Sequence, residues 1–232
     1  MTDKTKITLI YVGIAVFAAF IVTMFIIIGN GVDRTLEEDN RIATDVGREQ
    51  AQEMLRLEND LVATNQAGDE VRLSELKDKV WIMAQFFAAC PNCAARNGDH
   101  LVKLYQEYKD NPDFHVVCVT VDPETDDPAR LQEYAETLGA DISDWWFLTG
   151  DHETLHHYME EEMKFLAVRE RVKQEDIDRE GRYAHDMGVA VFGKGLVMKE
   201  KKDLLFARQQ GPELYEHFEG LLTKAIEEAL AQ

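Results

Sequence analysis

The stretch Val80-Trp-Ile-Met-Ala-Gln-Phe-Phe-Ala-Ala-Cys-Pro-Asn-Cys93 is an apolar run that ends in two cysteines separated by two residues. Val80 to Phe87 has the length and composition of a buried strand, and Pro91 marks a break just after it. Beyond the cysteines, Leu101, Leu104, Tyr105 and Tyr108 recur at helical spacing, which predicts a helix from Pro91 to about Lys109 with one core-facing stripe. Cys90 then stands at a helix N-terminus. There the unpaired backbone N–H groups and the positive end of the helix dipole favour thiolate over thiol. A thiolate is both a nucleophile toward disulfides and a soft metal ligand, and the residues by themselves leave both uses open.

Working outward, Leu61 to Thr64 and Val71 to Leu73 flank Asn65-Gln66-Ala67-Gly68-Asp69 and read as a hairpin. Phe114 to Val121 is a second apolar strand. Asp127-Pro128 opens a helix that points Leu131, Tyr134, Ala135 and Leu138 inward and stops at Gly139. Trp145 to Leu148 is a short strand, and Thr149-Gly150-Asp151 caps a helix running to about Leu166. Gly188 to Phe192, Leu196 to Lys199 and Leu204 to Arg208 read as strands, with turns at Gly193-Lys194-Gly195 and at Glu200 to Asp203. Pro212 begins a last helix, on which Leu214, Phe218, Leu221, Leu222, Ile226 and Leu230 share a face. Alternating strands and helices imply an α/β fold whose central sheet carries helices on both faces. A Cys-x-x-Cys pair opening the first helix of such a sheet is a thioredoxin-like arrangement.

The chain has 232 residues, which suits one membrane segment and one globular domain. Residues 7–28 hold no charge and span about 33 Å as a helix, enough to cross a bilayer core. A cleaved signal peptide is the competing reading, but Ile26-Ile27-Ile28-Gly29-Asn30 makes a poor cleavage site. Lys4 and Lys6 precede the run and Asp33, Glu37, Glu38 and Asp39 come after it, so residues 1–6 are expected in the cytoplasm and everything past Asn30 outside. Residues 29–60 read as a charged stalk and residues 61–232 as the thioredoxin-like domain. The absence of an Arg-rich transit segment points to a bacterial inner membrane, with the domain facing the periplasm. Residues 1–29 contribute +1 to a formal net charge of −19, so the exported part carries −20. Nucleic acid and anionic lipid would repel such a surface.

Of the three cysteines, Cys118 lies inside an apolar strand, where an inert buried thiol is expected. Cys90 and Cys93 are too close to staple a fold and read as redox or metal chemistry. His152-Glu153-Thr154-Leu155-His156 spells the short zinc-protease pattern His-Glu-x-x-His. No further ligand context accompanies it, and an acidic solvated helix accounts for these residues. Asp122 and Asp126 either shape the rim of the cysteine site or serve as turn and cap residues. Trp145 and Trp146 read as core.

Three segments resemble the Sco/SenC family, membrane-tethered thioredoxin-fold proteins that handle copper for cytochrome c oxidase. Phe86-Phe87-Ala88-Ala89-Cys90-Pro91 is similar to the family's strand-to-cysteine entry. Val119-Thr120-Val121-Asp122-Pro123-Glu124-Thr125-Asp126-Asp127-Pro128 resembles its aspartate-proline segment, the most specific of the three. Trp146-Phe147-Leu148-Thr149-Gly150 resembles the strand before its long insertion. The resemblance covers about residues 60–232. It implies copper held by Cys90, Cys93 and a distant histidine, which His185 matches about ninety residues past the cysteines. It also implies a cytochrome oxidase copper subunit as client. Two departures stand out: the family usually has three residues between its cysteines, and the stretch from His185 to the last hairpin is longer here. Two thiolates and an imidazole make a soft, low-coordinate site suited to Cu(I), and with a fourth ligand to Cu(II). The two-residue spacing is that of thiol–disulfide oxidoreductases, so an extracytoplasmic oxidoreductase using Cys90 and Cys93 without metal stands as the alternative.

Overall fold

A computed structural model describes residues 55–88 and 98–232 of the chain. All of these belong to one compact unit spanning residues 54–232. The membrane helix expected over residues 7–28, most of the stalk, and both Cys90 and Cys93 lie outside the described residues. Among the described residues, no helix is long and apolar enough to cross a membrane.

In chain order the elements are β1 (Val62–Thr64), β2 (Glu70–Arg72), β3 (Val80–Phe86), α1 (Asp99–Tyr108), β4 (Phe114–Thr120), α2 (Pro128–Leu138) and β5 (Trp145–Leu148). Next come α3 (His152–His157), continued by a π-helical turn at Tyr158–Glu162, then β6 (Arg169–Glu170), α4 (Gln174–Glu180), β7 (Tyr183–Ala184), β8 (Gly188–Gly193), β9 (Val197–Asp203), α5 (Leu204–Gln210) and α6 (Pro212–Leu230). The main sheet has the order β5-β4-β3-β8-β9. β3 pairs in parallel with β4, and β4 with β5, whereas β8 joins β3 and β9 antiparallel. The sheet is therefore mixed, with β3 at its centre and every β3 residue buried.

Period-two alternation divides the core. Val80, Ile82, Ala84 and Phe86 face one apolar cluster with Leu101 and Leu104 of α1, Leu131 of α2, and Leu222 and Ile226 of α6. Trp81, Met83 and Phe87 face the other, with Leu61, Leu73, Leu155 and Met159. The sequence implied helices on both faces, but the long ones gather on one. The steps β3 to β4 and β4 to β5 run the same way across the sheet, so two right-handed crossovers place α1 and α2 on the same side. The opposite face is closed by the β1–β2 hairpin, α3 and the π-helical turn. Leu57 is also buried there, and its N–H donates to the Leu196 carbonyl at 3.1 Å, so the chain joins the domain before Leu61.

Several elements depart from the sequence reading. Leu204 to Arg208 is helix, not strand: the Asp203 side chain accepts the Phe206 N–H at 2.8 Å as an N-cap, and Leu204 and Ala207 bury one side of α5. The residues read as a turn, Glu200 to Asp203, instead extend β9, an edge strand whose charged side chains discourage further pairing. The helix after Asp151 ends at Glu162 rather than near Leu166, and the chain then makes an excursion through β6, α4 and β7. Arg171 ties that excursion together by donating from Nη1 to the carbonyls of Glu180, Gly181 and Tyr183.

Candidate metal centre

The site is built where β3 ends. The last described residues before the cysteines, Gln85 to Ala88, are held by three separate groups. The Phe86 carbonyl accepts the Val121 N–H at 2.8 Å, which fixes the exit of β3 beside that of β4. The Ala88 N–H donates to Asp126 Oδ2 at 2.9 Å, and the same oxygen accepts the Thr120 hydroxyl at 2.5 Å. Gln85 Oε1 accepts the Asp186 N–H at 2.9 Å, linking β3 to the turn that carries His185.

His185 lies between β7 and β8, half-buried, with its ring edge-on to Phe87 at 5.8 Å between centroids. The topology that brings it there is the antiparallel pairing of β8 with β3, which sets Val189 opposite Ala84 and so runs the start of β8 past the end of β3. His185 Nδ1 is 2.8 Å from the Asp186 carbonyl. A carbonyl can only accept, so Nδ1 carries the proton and the lone pair sits on Nε2. Burial lowers the imidazole pKa below its ordinary value, against a raising contribution from the bond to the Asp186 backbone, so the ring is neutral at pH 7. A neutral, oriented imidazole with its lone pair on Nε2 is the form that ligates a metal, and the backbone bond at Nδ1 is the support such ligands generally have. The resemblance implies such a donor at His185; its expected partners Cys90 and Cys93 lie outside the described residues.

Asp186 anchors the turn. Its Oδ1 accepts the Gly188 N–H at 2.7 Å, and its Oδ2 accepts the Leu166 N–H at 2.9 Å and pairs with Lys201 at 2.5 Å. A cavity of about 10 Å³, room for about one water, borders the site. Among the described residues its lining includes Gln85, Phe86, Gly98, Cys118, His185 and Met187. Gly98 directly precedes α1, so the wall of this cavity joins the His185 turn to the helix beyond the cysteines.

Asp126 braces the chain at Ala88, and Asp122 serves as a turn residue. Asp126 is fully buried and braces Ala88 beside the site, and burial raises its carboxyl pKa although the Thr120 bond pulls it down. The Asp122 carbonyl closes a turn by accepting the N–H groups of Thr125 and Asp126, while Asp127 caps α2 by accepting the Arg130 N–H at 2.8 Å. Cys118 is buried as expected, receives the Trp145 indole N–H at 3.3 Å, and has its thiol pushed up to about 12 by burial. Trp145 is fully buried and Trp146 packs partly against the core. His152 Nδ1 meets Glu124 Oε1 at 2.5 Å and His156 Nε2 meets the Val121 carbonyl at 2.9 Å, so structural contacts occupy both rings. Among the described residues, no three His, Cys, Asp or Glu side chains cluster to hold a metal. Gln85, Asp186 and Met187 escaped the sequence reading, although Gln85 is the one polar residue within an otherwise apolar strand.

A mixed five-stranded sheet, with a Cys-x-x-Cys sequence between its central strand and the next helix, defines a thioredoxin-like α/β domain. The particular family emerges from comparison: the SCO1/SenC family model matches residues 49–204, and the chain belongs to that family. A SCO1 protein homolog of Bacillus subtilis (strain 168) is 30% identical over 106 residues, 45% of this chain and 51% of that protein. The match thus spans about half the length of that curated relative. Among solved structures, a SCO1/SenC family lipoprotein from Bacillus anthracis str. Ames superimposes with a TM-score of 0.60 at 22% identity, covering 77% of this chain and 96% of that one. BsSco, described as a member of the Sco family of cytochrome c oxidase assembly proteins with a disulfide switch, gives a TM-score of 0.56 at 22% identity over 75% of this chain and 95% of its own. ScoI of Bradyrhizobium japonicum, solved with copper bound, gives 0.57 at 16% identity over 74% and 98%. These likenesses establish the shared fold.

Proposed function

We propose that this chain binds copper through Cys90, Cys93 and His185 and serves a cytochrome oxidase copper site, by delivering the metal or by reducing that site's thiols. It does so from the outer face of a membrane, anchored by residues 7–28. The observation that carries the reading is the placement of His185. A neutral imidazole, its lone pair set on Nε2 by the Asp186 carbonyl, stands against Phe87, three residues before Cys90. Family membership supports the metal, because solved members of the family hold copper. The soft donor set supports Cu(I) in particular.

The test is a copper titration of the reduced full chain in detergent, with and without His185→Ala. One copper per chain is expected, with the affinity much reduced in the variant. A stoichiometry near zero, or an affinity unchanged by the substitution, overturns the reading. The Cys90-Pro91-Asn92-Cys93 spacing favours a second reading, a metal-free thiol–disulfide oxidoreductase in which the Cys90 thiolate attacks a client disulfide and Cys93 resolves the mixed disulfide. In that case Cys93→Ala accumulates a mixed disulfide with the client, and failure to trap any such species removes the role.

A further inference from the structure

We infer that the segment from Lys164 to Lys173 is the face on which a client protein docks, and that it fits an acidic surface with an apolar centre. This rests on the client role proposed above. The segment belongs to the excursion between α3 and β8, and two backbone attachments set it beside the His185 turn. The Leu166 N–H donates to Asp186 Oδ2 at 2.9 Å, on the residue just after His185. In the β6–β7 ladder Arg169 stands opposite Ala184, the residue just before His185, and Glu170 stands opposite Tyr183. Arg171 closes the hairpin through its bonds to the carbonyls of Glu180, Gly181 and Tyr183. The backbone of the segment is therefore held in place, and its outward side chains are presented from a fixed support.

Those side chains differ from the rest of the surface. Leu166 is 69% exposed and Val172 97% exposed, more than any other large apolar side chain among the described residues. At about 3.5 Å per residue they lie within about 21 Å of each other, inside the footprint of a standard interface of about 800 Å² a side. Around them stand Lys164, Arg169, Arg171 and Lys173 against a single acid, Glu170, a local charge of +3 in a chain of net charge −19. Lys164 and Arg171 are shared with Glu161 and Glu180. Arg169 and Lys173 are exposed and make no ion pair among the described residues. Cations around bare apolar side chains complement carboxylates around an apolar patch, which is the rim-and-core arrangement of a protein interface. A phosphate polyanion offers no such apolar centre, and the charge of the exported part repels it at long range. In a docked complex, charges more than about 8 Å away are screened at physiological ionic strength, so the local +3 outweighs the distant acids. With Leu166 bonded to Asp186, a partner seated here lies against the turn that carries His185.

The test measures association of the full chain in detergent with the metal-free copper-binding domain of the same organism's cytochrome oxidase. Arg169→Glu combined with Lys173→Glu is expected to weaken association about tenfold or more. Leu166→Ala combined with Val172→Ala is expected to weaken it about tenfold. Cu(I) stoichiometry, Cu(I) affinity and unfolding temperature should stay at wild-type values in both, which separates docking from metal binding and from misfolding. Added salt should weaken association of the wild type and not of the charge-reversed chain. Association unchanged in both double variants, or absent in the wild type, overturns the inference while copper binding stands. If the chain takes up no copper, the copper function falls, and the same measurement on metal-free chain still decides the docking face. Hydrogen exchange on the full chain in phosphatidylcholine vesicles, with and without phosphatidylglycerol, tests the competing lipid surface. Protection of residues 164–173 only when the oxidase domain is added supports the inference, whereas protection by phosphatidylglycerol alone assigns the face to lipid and overturns it.

Discussion

The hydrogen bond from Asp186 to Gln85 joins the two halves of the site, so its removal is the most direct test of how the fold prepares that site. In Gln85→Leu the volume is nearly kept, but Oε1, the acceptor of the Asp186 N–H at 2.9 Å, is gone. Gln85 is only 1% exposed, so bulk water does not reach the lost acceptor. An orphaned buried N–H costs about 1–3 kcal/mol. Part of this is offset, because Gln85 Nε2 is itself buried without a hydrogen-bond partner among the described residues, and leucine removes that penalty. The net loss is then about 1–2 kcal/mol, or roughly 2–8 °C in the unfolding temperature of a domain of this size.

The substitution should also reach the metal. Asp186 fixes both the peptide that orients His185 and the start of β8, and groups that orient a ligand typically contribute about 10–100-fold to metal affinity. Thermal unfolding and competitive Cu(I) titration of the same variant give the two readouts. A variant that loses stability yet binds copper with wild-type affinity refutes the positioning role. A variant that unfolds at the wild-type temperature refutes the hydrogen-bond accounting itself.

The charged and titratable groups give three further expected outcomes. Burial pushes the His115 pKa down to about 3, while the unfolded chain takes up that proton near 6.5, so stability present above 6.5 is lost as pH falls toward 3. His115→Phe should remove this loss, worth about 2 kcal/mol between pH 6.5 and pH 5; denaturant midpoints at the two pH values check it, and parallel behaviour of the two proteins contradicts it. Burial raises the Asp126 pKa, so the stability tied to its protonated form is present below the unfolded carboxyl value and fades as pH rises through the folded one. Asp126→Asn keeps an acceptor for Ala88 and should gain on the wild type from acid to neutral pH, whereas a constant difference would deny the shift. His152→Ala should leave copper stoichiometry and affinity unchanged, because that ring is paired with Glu124; a weakened copper site in this variant would show the His-Glu-x-x-His string to be part of it.

The central strand, the two crossovers and the last helix were legible because each has one dominant period: β3 and β4 are buried runs, while α1, α2 and α6 carry apolar stripes. What escaped has no such period. Ten of the fourteen residues from Arg169 to Arg182 are charged, and the shape of the segment comes from Arg171 donating to carbonyls up to twelve residues away, a contact that no local pattern signals. Leu204-Leu205-Phe206 reads equally as strand or helix over so few residues, and only the role of Asp203 as a cap separates them. In the site, His185 could be named from a family resemblance, but its tautomer depends on the Asp186 carbonyl and its position on the β3–β8 pairing. Gln85 was visible as an oddity in an apolar run. The meaning of that oddity required knowing which chain lay across from it.

That placement has a consequence for how the site would work. The four residues from Gln85 to Ala88 are held from three directions: Gln85 by the His185 turn, Phe86 by the strand beside it, and Ala88 by a buried aspartate. Each restraint comes from a different element, so loosening one leaves the others in place. The scaffold therefore fixes the chain as far as Ala88 and presents a neutral imidazole from a separately anchored turn. A rigid entry lowers the ordering cost of binding. On this reasoning, substitutions at Gln85 and Asp126 should act mainly through affinity and stability.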